Sequence, residues 1–392
     1  MKYFMEYPEE IEELCDSCLG RIYAMKGHGL TNMDRGRAIR VIYAMEKNMN
    51  YEEVKAEKCS LCNNIFNDIE KFADIAIEEM KNYEFKTFLI GVRIDQSLLE
   101  KEKILHEKYG NFGESIKNEL SREIGKLISI KIKRDVDLKK PDLTVIIDID
   151  YYSAEIKSRS VFIKGRYRKY VRNIPQTRWM HDKGEKSVEE RIGEIAINQF
   201  KGDNFYLHGA GREDVDVLML GNGRPFILEI TNPRLRYLDL KSIENEVNEK
   251  NKNIIEIENL EYSNSKEVEK LKSKEFIKTY DLEIEMEREI SYDELYSKLK
   301  SLENMIIDQR TPLRVIKSRS DKIRKKKIRK IEIKNIEGRV VEIEIETDPG
   351  TYIKEFAHGD NGRTTPSISS VLDQKIKIIK LDVVKILEPE ER

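Results

Sequence analysis

One segment of the chain, residues 209–229 with the sequence GAGREDVDVLMLGNGRPFILE, restricts the fold more than any other. A glycine-flanked turn that carries Asp214 precedes an alternating apolar run, and a second apolar run follows within the same segment. Alternation with a period of two predicts β-strands. A carboxylate on a turn that opens a buried strand is held rigidly, so the pattern predicts a fixed position for Asp214.

The motif around Asp214 also resembles that of a known enzyme family. Pseudouridine synthases keep their one indispensable carboxylate as the Asp of a Gly-Arg-x-Asp motif. Here GREDVDV, followed by GRPFILEI, closely resembles the archaeal and animal enzymes that make pseudouridine in the T-loop of tRNA. The resemblance covers most of residues 156–392 with specific motifs and residues 1–150 more loosely. It implies an isomerase, a tRNA pseudouridine synthase that acts on uridine 54, uridine 55 or both, with Asp214 as the catalytic carboxylate and no organic cofactor.

A second carboxylate, Asp216, follows two residues later. Residues two apart on a strand point to the same face, so periodicity alone does not choose between Asp214 and Asp216. The Gly-Arg-x-Asp motif favours Asp214. The structural alternative is a pair of carboxylates that only cap a strand.

The resemblance also assigns residues to the substrate pocket. Tyr280, in FIKTYDLEI, occupies the position of the tyrosine that stacks on the target base. Leu381, in IIKLDVV, is the candidate for the apolar residue beneath the site. Without the resemblance, both residues are ordinary members of alternating strands.

A further pocket motif lies at residues 350–354, Gly-Thr-Tyr-Ile-Lys. Tyr352, Ile353 and Lys354 resemble the Tyr-Ile-Arg/Lys motif of uridine isomerases, whose basic residue pairs with the catalytic carboxylate. Thr351 is expected to cap a short helix, with Ile353 toward the pocket and Lys354 reaching across it. A lysine here offers a point charge instead of a bidentate fork, which suffices for a resting ion pair.

All four cysteines lie near the N-terminus, as Cys15-Asp-Ser-Cys18 and Cys59-Ser-Leu-Cys62. Two C-x2-C pairs supply four thiolates at the spacing of a tetrahedral zinc site, so we expect one structural Zn²⁺ per chain. Four protein ligands leave no open position for catalysis. The alternatives are two unrelated pairs of buried thiols and a redox C-x-x-C, which the absence of a thioredoxin-like pattern disfavours.

Length and composition set the frame for these motifs. A chain of 392 residues is expected to form two or three cores. No apolar run approaches the ~20 residues that span a bilayer, and the start MKYFMEYPEEIEEL lacks a signal-peptide pattern, so we expect a cytoplasmic protein. The net charge of −2 does not by itself indicate a nucleic-acid-binding protein.

The local patterns predict four regions. Residues 1–75 are expected to form a helical zinc-binding module, and residues 76–155 a THUMP-like RNA-binding region. Residues 156–186 are predicted to be a turn-rich basic linker, and residues 187–392 the catalytic domain, beginning with a helix capped by Ser187. The expected fold is α+β, with a pseudouridine synthase core built on a mainly antiparallel mixed sheet. A zinc-bearing α/β THUMP-like domain precedes that core.

Within the THUMP-like region, the segments TFLIGVRID, KLISIKIKRD and LTVIIDIDYYSAEI alternate like strands. A helix-like stretch at residues 97–128 separates the first two. The order of these elements resembles the THUMP-type domain that precedes the catalytic domain in several tRNA-modifying enzymes.

Positive charge is concentrated in two segments. Residues 156–179 hold eight Lys and Arg and no acid, interleaved with aromatic residues that include Trp179, and residues 310–330 hold eleven Lys and Arg against Asp321. Cations reach phosphates and rings stack on bases, so both segments are predicted to bind RNA, the second as an exposed loop. The alternative is a solvated face or a nonspecific polybasic stretch. The candidate RNA-binding residues are Arg166, Arg168, Arg172, Arg310, Arg314, Arg324 and Lys326.

Two other functions stay open at this point. Another THUMP-linked enzyme, a thiouridine synthase or a methyltransferase, needs a phosphate-binding or methyl-donor loop after a strand, and neither motif is found. In a noncatalytic RNA-binding protein, Asp214 would only be structural. The predicted partner is the T-arm of tRNA, and the sequence indicates no membrane and no protein partner.

Overall fold

The computed structural model describes residues 7–51, 58–110, 112–178, 184–317 and 319–388. The chain divides into two compact units. The first is Met1–Arg159 with Arg234–Arg236, and the second is Ser160–Pro233 with Tyr237–Arg392. Among the described residues, every helix is too short or too polar to cross a membrane.

The first unit begins with helices and continues as an α/β layer. Its helix α2 starts at a capping box between Thr31 and Asp34 and ends at Asn48 in the left-handed conformation. Its sheet has the order β2-β1-β3-β4, in which β1 pairs in parallel with β2 and β3, and β3 pairs antiparallel with β4. The elements are α1 (Asp16–Ile22), α2 (Asn32–Lys47), α3 (Ile69–Met80), β1 (Thr87–Arg93), α4 (Gln96–Lys108), α5 (Ile116–Ile132), β2 (Asp135–Val136), β3 (Leu143–Asp148) and β4 (Ser153–Ser158).

One predicted strand of this unit is a helix. The segment KLISIKIKRD was expected to be extended, but α5 continues to Ile132 and only Asp135–Val136 pair as a strand. Ile124 and Ile128, four residues apart, are fully buried, whereas Ile130 is 75% exposed. The β-branched residues therefore follow helical spacing, and their alternation at residues 128, 130 and 132 was misleading.

The second unit is built on a ten-stranded sheet with the order β13-β10-β11-β12-β9-β14-β7-β5-β8, and β6 pairs with β7. In the described residues the pairing of β7 with β14 is parallel and all other pairings of this sheet are antiparallel. The strands are β5 (Val161–Lys169), β6 (Asn204–Gly209), β7 (Leu218–Thr231), β8 (Ile255–Ser263), β9 (Ile277–Met286), β10 (Ile306–Arg310), β11 (Ile323–Glu337), β12 (Val340–Thr347), β13 (Thr364–Thr365) and β14 (Ile376–Leu387).

Helices of the second unit cover this sheet. The first begins at the predicted Ser187 cap, where the Ser187 side chain accepts from the Glu190 backbone and the Glu190 carboxylate accepts in return. Its apolar face joins a single large core with the strands. The helices are α6 (Val188–Phe200), α7 (Leu240–Lys250), α8 (Ser265–Ser273), α9 (Tyr292–Lys300), α10 (Ile353–His358) and α11 (Ile368–Leu372).

The predicted basic linker also differs from the structure. Residues 157 and 158 belong to β4, and Val161–Lys169 form β5, which lies inside the large sheet between β7 and β8. Val161, Ile163 and Tyr167 alternate as buried residues along β5, and this period-two pattern was obscured by the basic residues between them. Trp179, the last residue of that segment, lies outside the described residues.

Candidate active site

A pocket of about 650 Å³ lies in the second unit, at the edge where several strands and loops meet. It is lined by the loop before β7, by β9 and β14, by the start of α10 and by the loop between β10 and β11. The structure brings all six residues that the sequence analysis assigned to catalysis or base binding into this one pocket. They are Asp214, Tyr280, Tyr352, Ile353, Lys354 and Leu381.

Two cations reach the carboxylates at the pocket. Lys354 Nζ lies 2.8 Å from an oxygen of Asp216 and 3.3 Å from one oxygen of Asp214. Arg314 Nη1 lies 3.2 Å from the other oxygen of Asp214. Asp214 therefore has a cation at each oxygen, while its side chain remains 37% exposed.

The sequence analysis above compared Asp214 and Asp216 as two residues of one strand. In the structure both lie on the turn before the strand. The Val217 backbone N–H donates to the Asp214 carbonyl at 3.1 Å, and β7 begins only at Leu218. Both carboxylates nevertheless contact Lys354, because the turn places them within reach of its amine. Lys354 lies nearer to Asp216 than to the carboxylate favoured by the motif.

Asp216 is an anchor for Lys354. Burial would raise the pKa of Asp216, but the hydrogen bonds and the charge of Lys354 outweigh it and hold the pKa below its usual range. Asp216 is therefore ionised at neutral pH and keeps the Lys354 amine beside Asp214.

Arg314 bridges two acids. Its Nε donates to Glu355 Oε1 at 2.7 Å, and the Glu355 side chain is only 3% exposed. Burial would lower the pKa of Arg314, but the hydrogen bond and charge of Glu355 raise it. The sequence analysis assigned Arg314 to RNA contact, and the structure places it on the Asp214 carboxylate. The eleven cations of residues 310–330 gave no signal that distinguished this one.

Beneath the Asp214 turn lies a buried polar network. Glu213 forms an ion pair with Arg224 at 2.8 Å, and both side chains are at most 1% exposed. Tyr167 Oη donates to Glu213 at 2.8 Å, and Gln176 Nε2 donates to Tyr167 Oη at 2.7 Å and to the Gly211 carbonyl at 3.0 Å. Such a connected network fixes the backbone that presents Asp214. Glu213 occupies the variable position of the Gly-Arg-x-Asp motif, so the motif gave no sign of this role.

Lys169, at the end of β5, supports the same turn. It is fully buried, and its Nζ donates to the carbonyls of Ile174 at 3.1 Å, Val215 at 3.2 Å and Asp214 at 3.4 Å. Burial lowers the pKa of Lys169.

We expect Lys169→Met to loosen the Asp214 turn. The change leaves buried carbonyls without their donor, which costs about 1–3 kcal/mol of unfolding free energy. Thermal unfolding should show the lost stability, and the catalytic rate should fall more than the affinity for RNA. An unchanged melting temperature together with an unchanged rate would contradict this supporting role.

The predicted RNA-binding arginines of residues 156–179 have partners within the second unit. Arg166 donates to backbone carbonyls of β7 and β14 at 3.0 Å, and Arg168 donates to Glu258 at 2.9 Å. Arg172 pairs at 2.8 Å with Asp382, which is 1% exposed. These arginines therefore tie β5 and the segment after it to neighbouring strands.

Three candidates from residues 310–330 are tied more loosely. Arg310 pairs with Asp321 at 2.6 Å but stays 51% exposed. Arg324 Nη1 donates to Thr311 Oγ1 at 3.0 Å, and Lys326 donates to the carbonyl of Pro349. Arg324 and Lys326 lie on β11, so this basic run is a loop that continues into a strand.

Apolar and aromatic side chains form part of the pocket wall. Leu381 and Ile353 are 7% and 3% exposed, and burial raises the pKa of Tyr280 to about 12. The helix α10 begins at Ile353 with Tyr352 as its N-cap, so the prediction that Thr351 caps it is wrong. Thr351 Oγ1 instead donates to the Asp348 carbonyl at 2.8 Å, which closes the preceding turn.

In the first unit, the four cysteines come together. Their sulfur atoms all lie within 4.8 Å of one another, and Cys15 Sγ lies 3.7 Å from Cys62 Sγ. Tetrahedral zinc with Zn–S bonds of about 2.3 Å places its sulfurs about 3.8 Å apart. Backbone N–H groups of Cys15 and Cys18 donate to the sulfurs of Cys59 and Cys15. The donor set therefore fits a tetrahedral metal ion held by four thiolates.

Comparisons with known proteins identify the family. A family model described as Pus10, C-terminal, matches residues 162–387, and one described as Pus10 THUMP domain, archaeal, matches residues 72–148. A relative from Thermoplasma acidophilum, tRNA pseudouridine synthase Pus10, is 37% identical over 96% of this chain and 97% of its own length. The protein of the same name from Picrophilus torridus is 42% identical over 95% of this chain and 96% of its own length. This chain belongs to the Pus10 family.

As a member of the Pus10 family the chain is a pseudouridine synthase, and hence an isomerase. The C-terminal Pus10 match contains every residue that lines the pocket, and the THUMP match runs from within α3 to the end of β3. The α+β fold and the THUMP resemblance predicted from the sequence are thus confirmed. A solved Cbf5-Nop10-Gar1 complex is similar at a TM-score of 0.32 and 16% identity, over 57% of this chain and 58% of that chain.

Proposed function

We propose that the chain acts on tRNA and isomerises uridine 54, uridine 55 or both in the T-loop, with Asp214 as the catalytic carboxylate. One observation carries the proposal: Asp214, Tyr280 and Lys354 converge in one pocket of a Pus10-family chain. Relatives named tRNA pseudouridine synthase Pus10 support tRNA as the substrate.

The proposed chemistry follows from the reaction. Isomerisation breaks the bond between N1 of the base and C1′ of the ribose, turns the base and joins C5 to C1′. The proton leaves C5 and one is gained at N1. Asp214 would act at this junction, while the Tyr280 ring holds the detached base and Leu381 and Ile353 exclude water. Lys354 and Arg314 would hold Asp214 until the nucleotide enters.

The target nucleotide must leave its stack to reach the pocket. Enzymes that act on a base commonly flip it into a fitted cavity and read its polar edge there. A volume of about 650 Å³ lies within the usual range of ligand pockets, about 300–1,000 Å³. The pocket is therefore large enough for one flipped nucleotide.

RNA binding would involve both halves of the chain. We propose that the THUMP-like region at residues 76–155 and the basic run at residues 310–330 contact the tRNA, with Arg310, Arg324 and Lys326 near phosphates. Arg166, Arg168 and Arg172 would contribute chiefly through the strands they hold, since each already has an intramolecular partner. The proposed catalytic domain consists of residues 187–392 together with β5, which precedes them in the chain and pairs with β7 and β8.

We further propose that the four-cysteine cluster binds one structural Zn²⁺ per chain. Cys15, Cys18, Cys59 and Cys62 would be its ligands, and the ion would tie the segment before α1 to the segment before α3. No step of the isomerisation is assigned to it.

Incubation with an unmodified tRNA transcript tests the proposed function. Pseudouridine should be found by chemical mapping at position 54, 55 or both, and an Asp214→Asn sample provides the background. If only thiouridine or a methylated base were formed, or if no base changed, the proposal would be wrong.

The basic run should make tRNA binding depend on salt. Each neutralised phosphate releases condensed counterion, so log K should fall with log salt by roughly 0.7–0.9 per contact. Neutralising Arg324, Lys325, Lys326 and Lys327 together should weaken binding and flatten that slope by about 2–3 units. The modified position should stay the same, because the pocket selects the uridine.

Filter binding across a salt series measures this effect. A quadruple variant of exposed lysines on helices of the second unit, Lys241, Lys250, Lys266 and Lys300, is the matched control for lost charge. An unchanged affinity and slope in the first variant would show that residues 324–327 are only a solvated face.

A further inference from the structure

One half-buried amine of the pocket has no role in the chemistry described above. Lys278 lies on β9, two residues before Tyr280, and both side chains line the pocket. Successive residues of a strand alternate in direction, so residues 278 and 280 share a face about 7 Å apart. In the part of the chain that the structure describes, Lys278 Nζ makes no hydrogen bond or ion pair.

The surroundings of this amine are strongly positive. A Cβ atom on Gly211 would lie 2.8 Å from Lys278 Nζ and 3.3 Å from Arg224 Nη1, so both groups approach the Gly211 backbone. The nearby acid, Glu213, already pairs with Arg224. Lys326 adds further positive charge. The cluster therefore has an excess of cations over buried acids.

Burial and the charge of Arg224 lower the pKa of Lys278 to about 7. Lys278 is thus an amine whose charge is disfavoured and which bonds to no acceptor among the described residues. Such a group is better explained by an acceptor that arrives with a ligand than by a contribution to stability.

The position of Lys278 in the pocket indicates which part of a bound nucleotide carries that acceptor. The cations Arg314 and Lys354 stand beside Asp214, where the ribose would lie, and the Arg314 side chain is 41% exposed. Lys278 is half-buried on the same strand face as Tyr280, the ring expected to stack on the base. The group within its reach is thus the edge of the base, not a phosphate.

We infer that Lys278 donates to O4 of the target base and so selects uracil over cytosine in the pocket. This inference rests on the proposed function of the same site. Uracil presents carbonyl acceptors at O2 and O4, whereas cytosine presents an amino donor in place of O4. An amine that donates to O4 stabilises bound uracil, and it opposes the amino donor of cytosine when that base enters. Sites built on such a hydrogen bond reject the mismatched analogue strongly.

Single-turnover rates on tRNA with uridine, 2-thiouridine or 4-thiouridine at the target position test the inference. Sulfur accepts hydrogen bonds poorly, so the wild-type protein should be about 10- to 100-fold slower on 4-thiouridine, while 2-thiouridine, altered at a carbonyl that cytosine shares, is the control substrate. Lys278→Met should be slower by a similar factor on uridine and insensitive to the sulfur of 4-thiouridine. Lys278→Arg should restore part of the rate. Lys334→Met, which removes a lysine paired with Asp281 at 2.7 Å, is the matched control.

Three results would overturn the inference. The first is a Lys278→Met variant that keeps the wild-type rate on uridine. The second is a variant that is slowed by 4-thiouridine as much as the wild-type protein is. The third is a variant whose defect disappears when the phosphate before the target is replaced by methylphosphonate. The last result would make a phosphate the partner. Thermal unfolding gives a separate check, because loss of a desolvated amine should leave the melting temperature equal or higher, whereas a structural role would lower it. If the wild-type protein formed no pseudouridine, the proposed function itself would fail.

Discussion

Replacing Asp214 by Asn is expected to abolish pseudouridine formation and leave tRNA affinity nearly unchanged. The exchange removes the charge and one carboxylate oxygen but keeps the size of a side chain that lies 37% exposed at the pocket. Loss of the reacting group of an enzyme lowers the rate by about 10⁴-fold or more. Single-turnover rates measure the chemical step, and filter binding measures the affinity.

Asp216→Asn is the matched control, because it removes the same charge two residues away. Lys354 would lose its 2.8 Å partner and keep Asp214 at 3.3 Å, so we expect a reduced but measurable rate. The opposite pattern, with activity kept by the Asp214 variant and lost by the Asp216 variant, would reverse the assignment. The question is open to experiment because one lysine contacts both carboxylates.

Loss of any one zinc ligand is the second large effect we expect. Structural zinc contributes about 10–16 kcal/mol of apparent binding free energy, which folding of a small module uses directly. Cys59→Ser or Cys62→Ser should therefore release the metal and loosen the helices α1 and α2. Hydrogen exchange in the first unit should rise, whereas exchange in the large sheet of the second unit should change little.

Elemental analysis of protein purified without added metal should find one zinc per chain. Ser60→Ala, an exposed position between the same two cysteines, is the matched control and should keep the metal. Protein that contained no zinc, or a Cys59→Ser variant with unchanged exchange in α1 and α2, would contradict the proposal. Under the proposed structural role of zinc, the cysteine variants should bind tRNA more weakly, while the rate of the chemical step stays unchanged.

Local signals predicted much of the architecture. Ser187 and Glu190 form the expected capping box, because capping depends on residues three apart in the chain. The segments TFLIGVRID and LTVIIDIDYYSAEI form β1, β3 and β4 as their alternation predicted, and the cysteine spacing predicted the cluster that forms. Where two local patterns overlap, the prediction failed: the isoleucines of α5 fit both a strand and a helix, and only burial of Ile124 and Ile128 decides for the helix.

The sequence by itself determined the family resemblance, the pocket residues and the four-cysteine cluster, because each depends on a short motif. Only the tertiary structure decided which cations meet which acids. Arg314 reaches Asp214 across 100 residues of chain, and Lys169 is buried beneath the turn although it stands in a basic segment that looks exposed. Charge and spacing along a chain do not encode burial or long-range distance, which arise only when distant strands pack into one sheet.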